Sequence, residues 1–199
     1  MHTTNEPPNN EPRRFLFVLA SGRRGGNTED LARRAAAALP PDAQQHWIRL
    51  EDHPLPAFAD ISRRDAPQPA PDGNELTLLE ATLAATDLVI ASPVYWYSLS
   101  SGAKLYLDHW SHWLRRREPR FREQMARKTL WAVSALAESD PSSAEPLVRS
   151  LELTARYLGA QWGGALLAVG SWPGDIRRDD DALRRADAFF APAGAAVPA

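Results

Sequence analysis

A glycine-rich segment near the N-terminus has the composition of an anion-binding loop, running Ser21-Gly-Arg-Arg-Gly-Gly-Asn-Thr28. Glycine lets backbone amides turn toward a ligand and approach it closely. Asn27 or Thr28 can cap a following helix, whose N-terminus favours an anion. Hydroxyl groups and the forked guanidinium of Arg23 add further donors. The segment predicts a phosphate site made without a metal by Ser21, Arg23, Gly26, Asn27 and Thr28; a plain glycine-rich turn is the alternative.

The spacing of the glycines excludes two common nucleotide motifs. The segment is neither G-x-G-x-x-G, the dinucleotide fingerprint, nor G-x-x-x-x-G-K-[ST], the P-loop of nucleoside triphosphatases. It also holds a second arginine, Arg24, to which the sequence assigns no role.

A second segment suits a flat ring rather than a phosphate. Pro93-Val-Tyr-Trp-Tyr-Ser98 directly follows the apolar run Leu88–Ser92 and carries three aromatic side chains. Backbone groups there can meet the polar edge of a planar ring while Tyr95 and Trp96 contact its face. Aromatic packing of a helix onto the sheet is the alternative. Together the two segments predict a flat nucleotide cofactor, FMN, with ring contacts from Pro93, Val94, Tyr95 and Trp96.

The elements that must position these segments alternate along the chain. Short apolar runs predict strands at 15–20, 45–50, 88–92, 129–134 and 164–169, and amphipathic patterns predict helices at 29–39, 76–85, 100–117, 142–158 and 179–190. Such alternation is typical of a parallel sheet with helices on both faces. Five strands suit the order 2-1-3-4-5, in which a ligand lies at the carboxyl ends of strands 1 and 3.

The same segments resemble a known family. Ala20–Thr28 resembles the phosphate loop of the flavodoxin-like NAD(P)H-dependent FMN reductases and quinone reductases, and Asp87–Ser98 is similar to their flavin-ring loop. Lys104 and Asp108 match the helix that follows. The family's loop after strand 4 also contacts the ring and often holds glycines; here, from Ser134 to Asp140, it has none. The resemblance implies that Ser134 contributes to the cofactor site.

The resemblance also implies an activity. Family members bind FMN, take a hydride from NADH or NADPH and pass electrons to quinones, nitro compounds, azo dyes, metal ions or free flavin. We expect a ping-pong mechanism in which the cofactor does the chemistry, so no side chain is named as catalytic. The resemblance implies a homodimer or homotetramer. A flavodoxin-type electron carrier and a cofactor-free interaction module are the alternatives, and the long loop 52–72, which can cover a small-substrate pocket, argues against the carrier.

Composition limits the remaining classes. The 199 residues predict a single domain over 13–191, with disordered tails at 1–12 and 192–199. The net charge of −2 gives no basic field for nucleic acid. The absence of cysteine excludes disulfides and cysteine-ligated iron–sulfur clusters and fits a reducing compartment. With no signal peptide and no apolar run long enough to cross a membrane, we expect a cytoplasmic location.

One helix carries a second group of side chains that could do chemistry. Asp108, His109 and His112 have the spacing of a zinc site. We prefer a different interpretation, in which both histidines join Trp110 and Trp113 in a partly exposed aromatic stripe at a subunit interface, with packing inside one chain as the alternative. No metal is therefore expected.

Overall fold

Five parallel strands form one sheet in the computed structural model, which describes residues 12–60, 69–116 and 120–191. The strands are β1 (Arg14–Leu19), β2 (Gln44–Arg49), β3 (Asp87–Ala91), β4 (Thr129–Leu136) and β5 (Gln161–Val169). Their spatial order is β2-β1-β3-β4-β5, and every adjacent pair is parallel. The predicted sheet and its order are thus confirmed. Parallel strands place their carboxyl ends, and the loops that follow, at one edge of the sheet.

Helices cover both faces of this sheet. They are α1 (Asn27–Ala37), α2 (Gly73–Ala84), α3 (Ser101–Arg115), α4 (Phe121–Met125), α5 (Glu145–Leu158) and α6 (Asp180–Ala188). Short 3-10 turns lie at 50–52, 141–144 and 175–178. The sequence does not predict α4, because five residues are too few to show a helical period.

Each face of the sheet has its own hydrophobic core, since successive side chains of a strand point to opposite faces. In β1, Leu16 and Val18 join the core shared with α2, α3 and α5. Phe15 and Phe17 join the core shared with α1 and α6. The strand is therefore buried on both sides, as a central parallel strand must be.

The aromatic stripe of α3 belongs to the interior. The rings of Tyr106, Trp110 and Trp113 are at most 2% exposed. Phe121 of α4 packs edge-on against both tryptophans, with ring centroids 5.7 and 5.5 Å apart. The prediction of a partly exposed stripe at a subunit interface is therefore wrong, because the unpredicted helix α4 covers it.

The predicted disordered tails at 1–12 and 192–199 lie outside the described residues except for Pro12, so the domain limits of 13–191 stay a prediction. Within the described part of the chain, every helix is too short or too polar to cross a membrane.

Candidate functional site

A cavity opens at the carboxyl edge of β1, β3 and β4. It is lined by Ser21, Arg23, Gly26, Asn27, Thr28, Pro93, Val94, Tyr95, Ala135, Ala137, Gly170 and Ser171. Eight of these are among the ten residues that the sequence predicts for cofactor binding. The topology therefore brings the two predicted segments together at the switch point between β1 and β3, where ligands of such sheets bind.

A buried carboxylate fixes the first loop. Gly25 adopts a left-handed φ of 63°, which glycine tolerates best, and its N–H donates to Glu29 Oε2 at 3.0 Å. The same side chain accepts hydrogen bonds from Arg33 at 2.8 Å and Arg49 at 2.6 Å. Burial alone would raise the pKa of Glu29, but these hydrogen bonds from Arg49, Gly25 and Arg33 together lower it to about 2. Glu29 is a positioning residue that the sequence analysis missed.

The helix that follows the loop begins without a side-chain cap. Its N-cap is Gly26, with no side-chain hydrogen bond, so the prediction that Asn27 or Thr28 caps the helix is wrong. Asn27 instead donates to the Trp172 carbonyl at 2.8 Å, and Thr28 Oγ1 accepts from the Ala135 N–H at 3.3 Å. The side chains thus tie α1 to the end of β4 and to the loop after β5, and the first backbone amides of α1 remain for an anion.

Gly170 shows how closely the loop after β5 approaches α1. A Cβ atom there would lie 2.7 Å from Asn27 Nδ2, a distance that real side chains avoid. A larger residue at this wall of the cavity would displace the Asn27 side chain from its hydrogen bonds with the Trp172 carbonyl and the Gly174 N–H.

The two arginines of the first loop have different surroundings. Arg24 forms a 2.5 Å ion pair with Asp52, which ties the loop to the 3-10 turn after β2. Arg23 lines the cavity, is exposed, and forms no ion pair with any described residue. Arg23 is therefore the arginine that is available to an anionic ligand.

The second loop is a tight turn in an unusual conformation. Tyr95 and Ser98 exchange both backbone hydrogen bonds, each 3.0 Å long. Trp96 and Tyr97 between them have φ values of 50° and 62°, a type I′ pattern that favours asparagine and glycine. Such strain costs about 1–3 kcal/mol for each residue and concentrates at functional sites. The Trp96 side chain is 94% exposed, so the alternative in which this loop packs a helix onto the sheet is wrong for that ring.

Two further cavities adjoin the first. One is lined by Val94, Trp96, Tyr97, Leu136, Ala137, Glu138 and Ser143 and shares Val94 and Ala137 with it. The other, about 420 Å³, shares Ser21 and Tyr95 with it and is walled by residues 53–55 and the start of α3. Trp96 thus lines a neighbouring cavity rather than the first.

Ser134 lies behind the cavity. Its side chain is fully buried, and its hydroxyl donates to the Ser92 carbonyl at 2.6 Å. It therefore supports the end of β3, and the cavity is lined instead by Ala135, at the end of β4, and Ala137, in the loop that follows. Their small side chains keep the wall open where the sequence has no glycine.

Two motif residues of the resemblance lie away from the cavity. Asp87 is buried at the amino end of β3, where it accepts hydrogen bonds from Arg13 and Trp131. Asp108 pairs with Lys104 on the surface of α3 at 2.5 Å. Both positions are structural.

Comparison with known proteins gives a consistent result. The family model described as NADPH-dependent FMN reductase matches residues 13–172. A Bacillus subtilis protein named "Putative NAD(P)H-dependent FMN-containing oxidoreductase" is 32% identical over 174 residues, which cover 86% of this chain and 93% of that protein.

Solved structures share the architecture. "Trp Repressor Binding Protein" from Bacillus subtilis is 27% identical with a TM-score of 0.71, covering 90% of this chain and 99% of that one. An FMN-dependent NADH-azoreductase from Bacillus anthracis, solved in complex with FMN, is 12% identical with a TM-score of 0.62, covering 88% and 96%. The second likeness supports the fold alone. The family match and the sequence identity decide the family: the chain belongs to the NADPH-dependent FMN reductases and is an NAD(P)H-dependent flavin oxidoreductase with a flavodoxin-like fold.

Proposed function

We propose that the adjoining cavities form one site that binds FMN and a small electron acceptor. The observation that carries the proposal is the sharing of wall residues. Val94 and Ala137 belong to two of the cavities, and Ser21 and Tyr95 also line the third. A phosphate at one end and a ring at the other therefore have a continuous path between them.

The first loop suits the phosphate of FMN. Arg23 supplies a positive charge, Ser21 a hydroxyl, and the uncapped start of α1 its backbone amides. We assign this end to Ser21, Arg23, Gly26, Asn27 and Thr28, with the last two acting through their backbone. A cluster of this kind binds anions without a metal.

The second loop suits the ring. We assign Pro93, Val94, Tyr95 and Trp96 to it, together with the Ala137 wall, because these residues surround the part of the site that lacks positive charge. The exposed aromatic rings offer flat apolar faces at the mouth. Bound FMN supplies the two-electron chemistry that connects NAD(P)H to the acceptor. No acid–base role is assigned to a side chain.

The acceptor is proposed to be a small molecule such as a quinone, a nitro or azo compound, or a flavin. Residues 53–55, from the long loop after β2, wall the cavity next to Tyr95. A cavity of this size suits a small substrate better than the surface of a partner protein. We further propose ping-pong kinetics, in which the oxidised nicotinamide nucleotide leaves before the acceptor enters the same cavity.

Two properties of the whole molecule remain proposals. We propose a cytoplasmic enzyme, which the absence of cysteine accommodates. We propose a homodimer or homotetramer as well, although the α3 stripe is not its interface. Sedimentation at micromolar concentration tests the assembly, and a monomer alone would contradict it.

The phosphate assignment is tested by comparing FMN with riboflavin, which has the same ring and no phosphate. A charge-assisted hydrogen bond contributes about 1.5–3 kcal/mol, so Arg23→Ala is expected to weaken FMN binding about ten- to a hundred-fold. Riboflavin binding should stay nearly unchanged. Arg24→Ala is the matched control, because Arg24 is held by Asp52. Equal losses for the two ligands would show that Arg23 supports the loop rather than the phosphate.

Reduction by NADPH separates the enzyme from an electron carrier on the same fold. The FMN-loaded protein is mixed with NADPH without oxygen, and the visible absorbance of the flavin is followed. We expect the flavin absorbance to bleach rapidly and to return when a quinone is added. Absence of bleaching on the seconds timescale would favour the carrier.

A further inference from the structure

Two histidines of α3 and a carboxylate of α2 lie close together. His109 and His112 are one turn apart on α3, and Glu75 lies in the first turn of α2. One ligand atom from each lies within 4.8 Å of the other two. The acidic neighbour in the sequence, Asp108, is instead paired with Lys104.

Backbone carbonyls determine that the Nε2 atom of each ring carries a hydrogen. His109 Nε2 lies 3.0 Å from the Pro56 carbonyl oxygen, and His112 Nε2 lies 3.0 Å from that of Ala59. A carbonyl only accepts hydrogen bonds, so both Nε2 atoms must carry hydrogen. In a neutral ring the Nδ1 atom then presents a lone pair.

The Nδ1 atom of His109 has no hydrogen-bond partner among the described residues. Its side chain is only 2% exposed, and Glu75 Oε1 lies 3.4 Å away. That oxygen already accepts a hydrogen bond from Trp113 Nε1 at 2.9 Å. A lone pair facing a carboxylate oxygen in a buried site is unfavourable unless a positive charge lies between them.

A metal ion satisfies this geometry better than a proton. The 3.4 Å separation is longer than a normal N–H···O hydrogen bond, which spans about 2.7–3.2 Å. It matches the edge of a tetrahedron with zinc–ligand bonds of about 2.0–2.1 Å, which is roughly 3.3 Å. Carbonyl groups that hold the outer nitrogen of a histidine are also the usual second layer around a bound metal.

We propose that Glu75, His109 and His112 form a binding site for a divalent transition-metal ion, with Zn²⁺ as the best match. Two imidazole nitrogens and one carboxylate suit zinc and exclude calcium and magnesium, which prefer oxygen ligands. His112 supplies the third ligand, and its ligand atom lies within 4.8 Å of the other two. Three protein ligands leave the fourth position to water. This site replaces the expectation of no metal.

The ion would stabilise the wall of the acceptor cavity. The carbonyls that orient the two rings belong to residues 56 and 59, and Phe58 between them packs on His112 with ring centroids 4.8 Å apart. Residues 53–55 of the same segment line the cavity next to Tyr95. The ion thus joins α2, α3 and this segment at a distance from the reacting groups.

The test is a zinc titration of the whole protein after treatment with a chelator, followed by calorimetry and metal analysis. We expect one Zn²⁺ per chain and a saturable rise in melting temperature, since a ligand of the native state stabilises it by mass action. Mg²⁺ should produce neither. Because binding is measured directly, the result is independent of the flavin assignment.

Variants locate the site. Glu75→Gln and His112→Ala should each weaken zinc binding by more than about a hundredfold, exceeding the loss from an outer-layer partner. Glu75→Gln keeps an acceptor for Trp113, and His112 is partly exposed, so both variants should fold. His46→Ala and Asp108→Asn are matched controls, which should bind Zn²⁺ as tightly as the parent protein. Unchanged binding in the first pair would overturn the proposal.

A proton in place of the metal is the competing outcome. Nitrogen NMR of the imidazole rings distinguishes the two, because added Zn²⁺ must shift the Nδ1 resonances of His109 and His112. A His109 ring that carries hydrogen on both nitrogens and does not respond to zinc would show an ion pair with Glu75 and overturn the proposal.

Discussion

Two aromatic groups close together in the sequence have opposite surroundings. In the turn after β3, the side chains of Tyr95, Trp96 and Tyr97 are 53%, 94% and 50% exposed. On α3, Tyr106, Trp110 and Trp113 are at most 2% exposed. Composition does not separate the two groups, since both contain tyrosine and tryptophan.

Backbone conformation causes the difference. The α3 aromatics recur at spacings of four and three, so they share one face of a helix, and another helix can cover that face. In the turn, two successive residues have positive φ, and both are left exposed. The helix thus contributes to folding, whereas the turn is proposed to serve binding.

The largest expected effect concerns the buried group. Trp113→Ala should cost about 3–5 kcal/mol of unfolding free energy, because it leaves a cavity in the core. Trp96→Ala should change it by less than about 0.5 kcal/mol. Denaturant unfolding of the two variants measures the contrast, and similar losses would contradict the structural difference between the groups.

At the cavity edge, the buried carboxylate of Glu29 stabilises the fold through hydrogen bonds from Gly25, Arg33 and Arg49. The pKa of Glu29 lies at about 2 in the folded chain, below the usual 4.5. As pH falls, the unfolded state therefore takes up the proton first. The contribution of Glu29 to the free energy of unfolding is thus complete above about pH 4.5 and is lost toward pH 2. This contribution is about 3 kcal/mol.

Unfolding measured as a function of pH checks this. Glu29→Gln should remove the part of the acid-dependent loss that comes from Glu29 and lower stability at neutral pH, since buried Arg49 loses its charged partner. Glu123→Gln, an exposed control, should keep the profile of the parent. An unaltered profile in Glu29→Gln would contradict the role given to this carboxylate.

A smaller effect tests the strain in the turn. Tyr97→Gly relieves a left-handed backbone and should raise stability or leave it unchanged, within about 1 kcal/mol. Tyr157→Gly is the matched control, because this tyrosine is also exposed but lies in α5, where glycine costs about 1 kcal/mol. If the turn binds the ring, Tyr97→Gly should weaken FMN and riboflavin equally. If Tyr97→Gly loses as much stability as Tyr157→Gly, the turn is not strained at Tyr97.

The sequence predicts the parts of the fold that depend on local pattern. The five strands and their order follow from short apolar runs, and the two loops at the sheet edge follow from glycine and aromatic content. β5 begins at Gln161, earlier than the predicted start at Gly164. Within this added segment, Gly163 lies against the Trp131 ring, where a Cβ atom would come within 2.3 Å.

Features that depend on distant residues could not be predicted. Glu29 acts through Arg49 on β2, and Glu75 meets the α3 histidines only after α2 packs beside α3. The resemblance assigns Ser134 to the cofactor site, but its hydroxyl donates to the Ser92 carbonyl behind the cavity. The periodicity of a strand fixes which positions alternate, and only packing decides which of them reach the cavity.

The most direct measurement is a titration of the purified, flavin-free chain with FMN, followed by quenching of flavin fluorescence. Saturation at one FMN per chain is expected for the parent. Ala137→Trp fills the wall shared by two cavities and should abolish binding, whereas Leu153→Trp, at an exposed position on α5, should not. No saturable binding by the parent, or normal binding by Ala137→Trp, would contradict the placement of the flavin at this edge of the sheet.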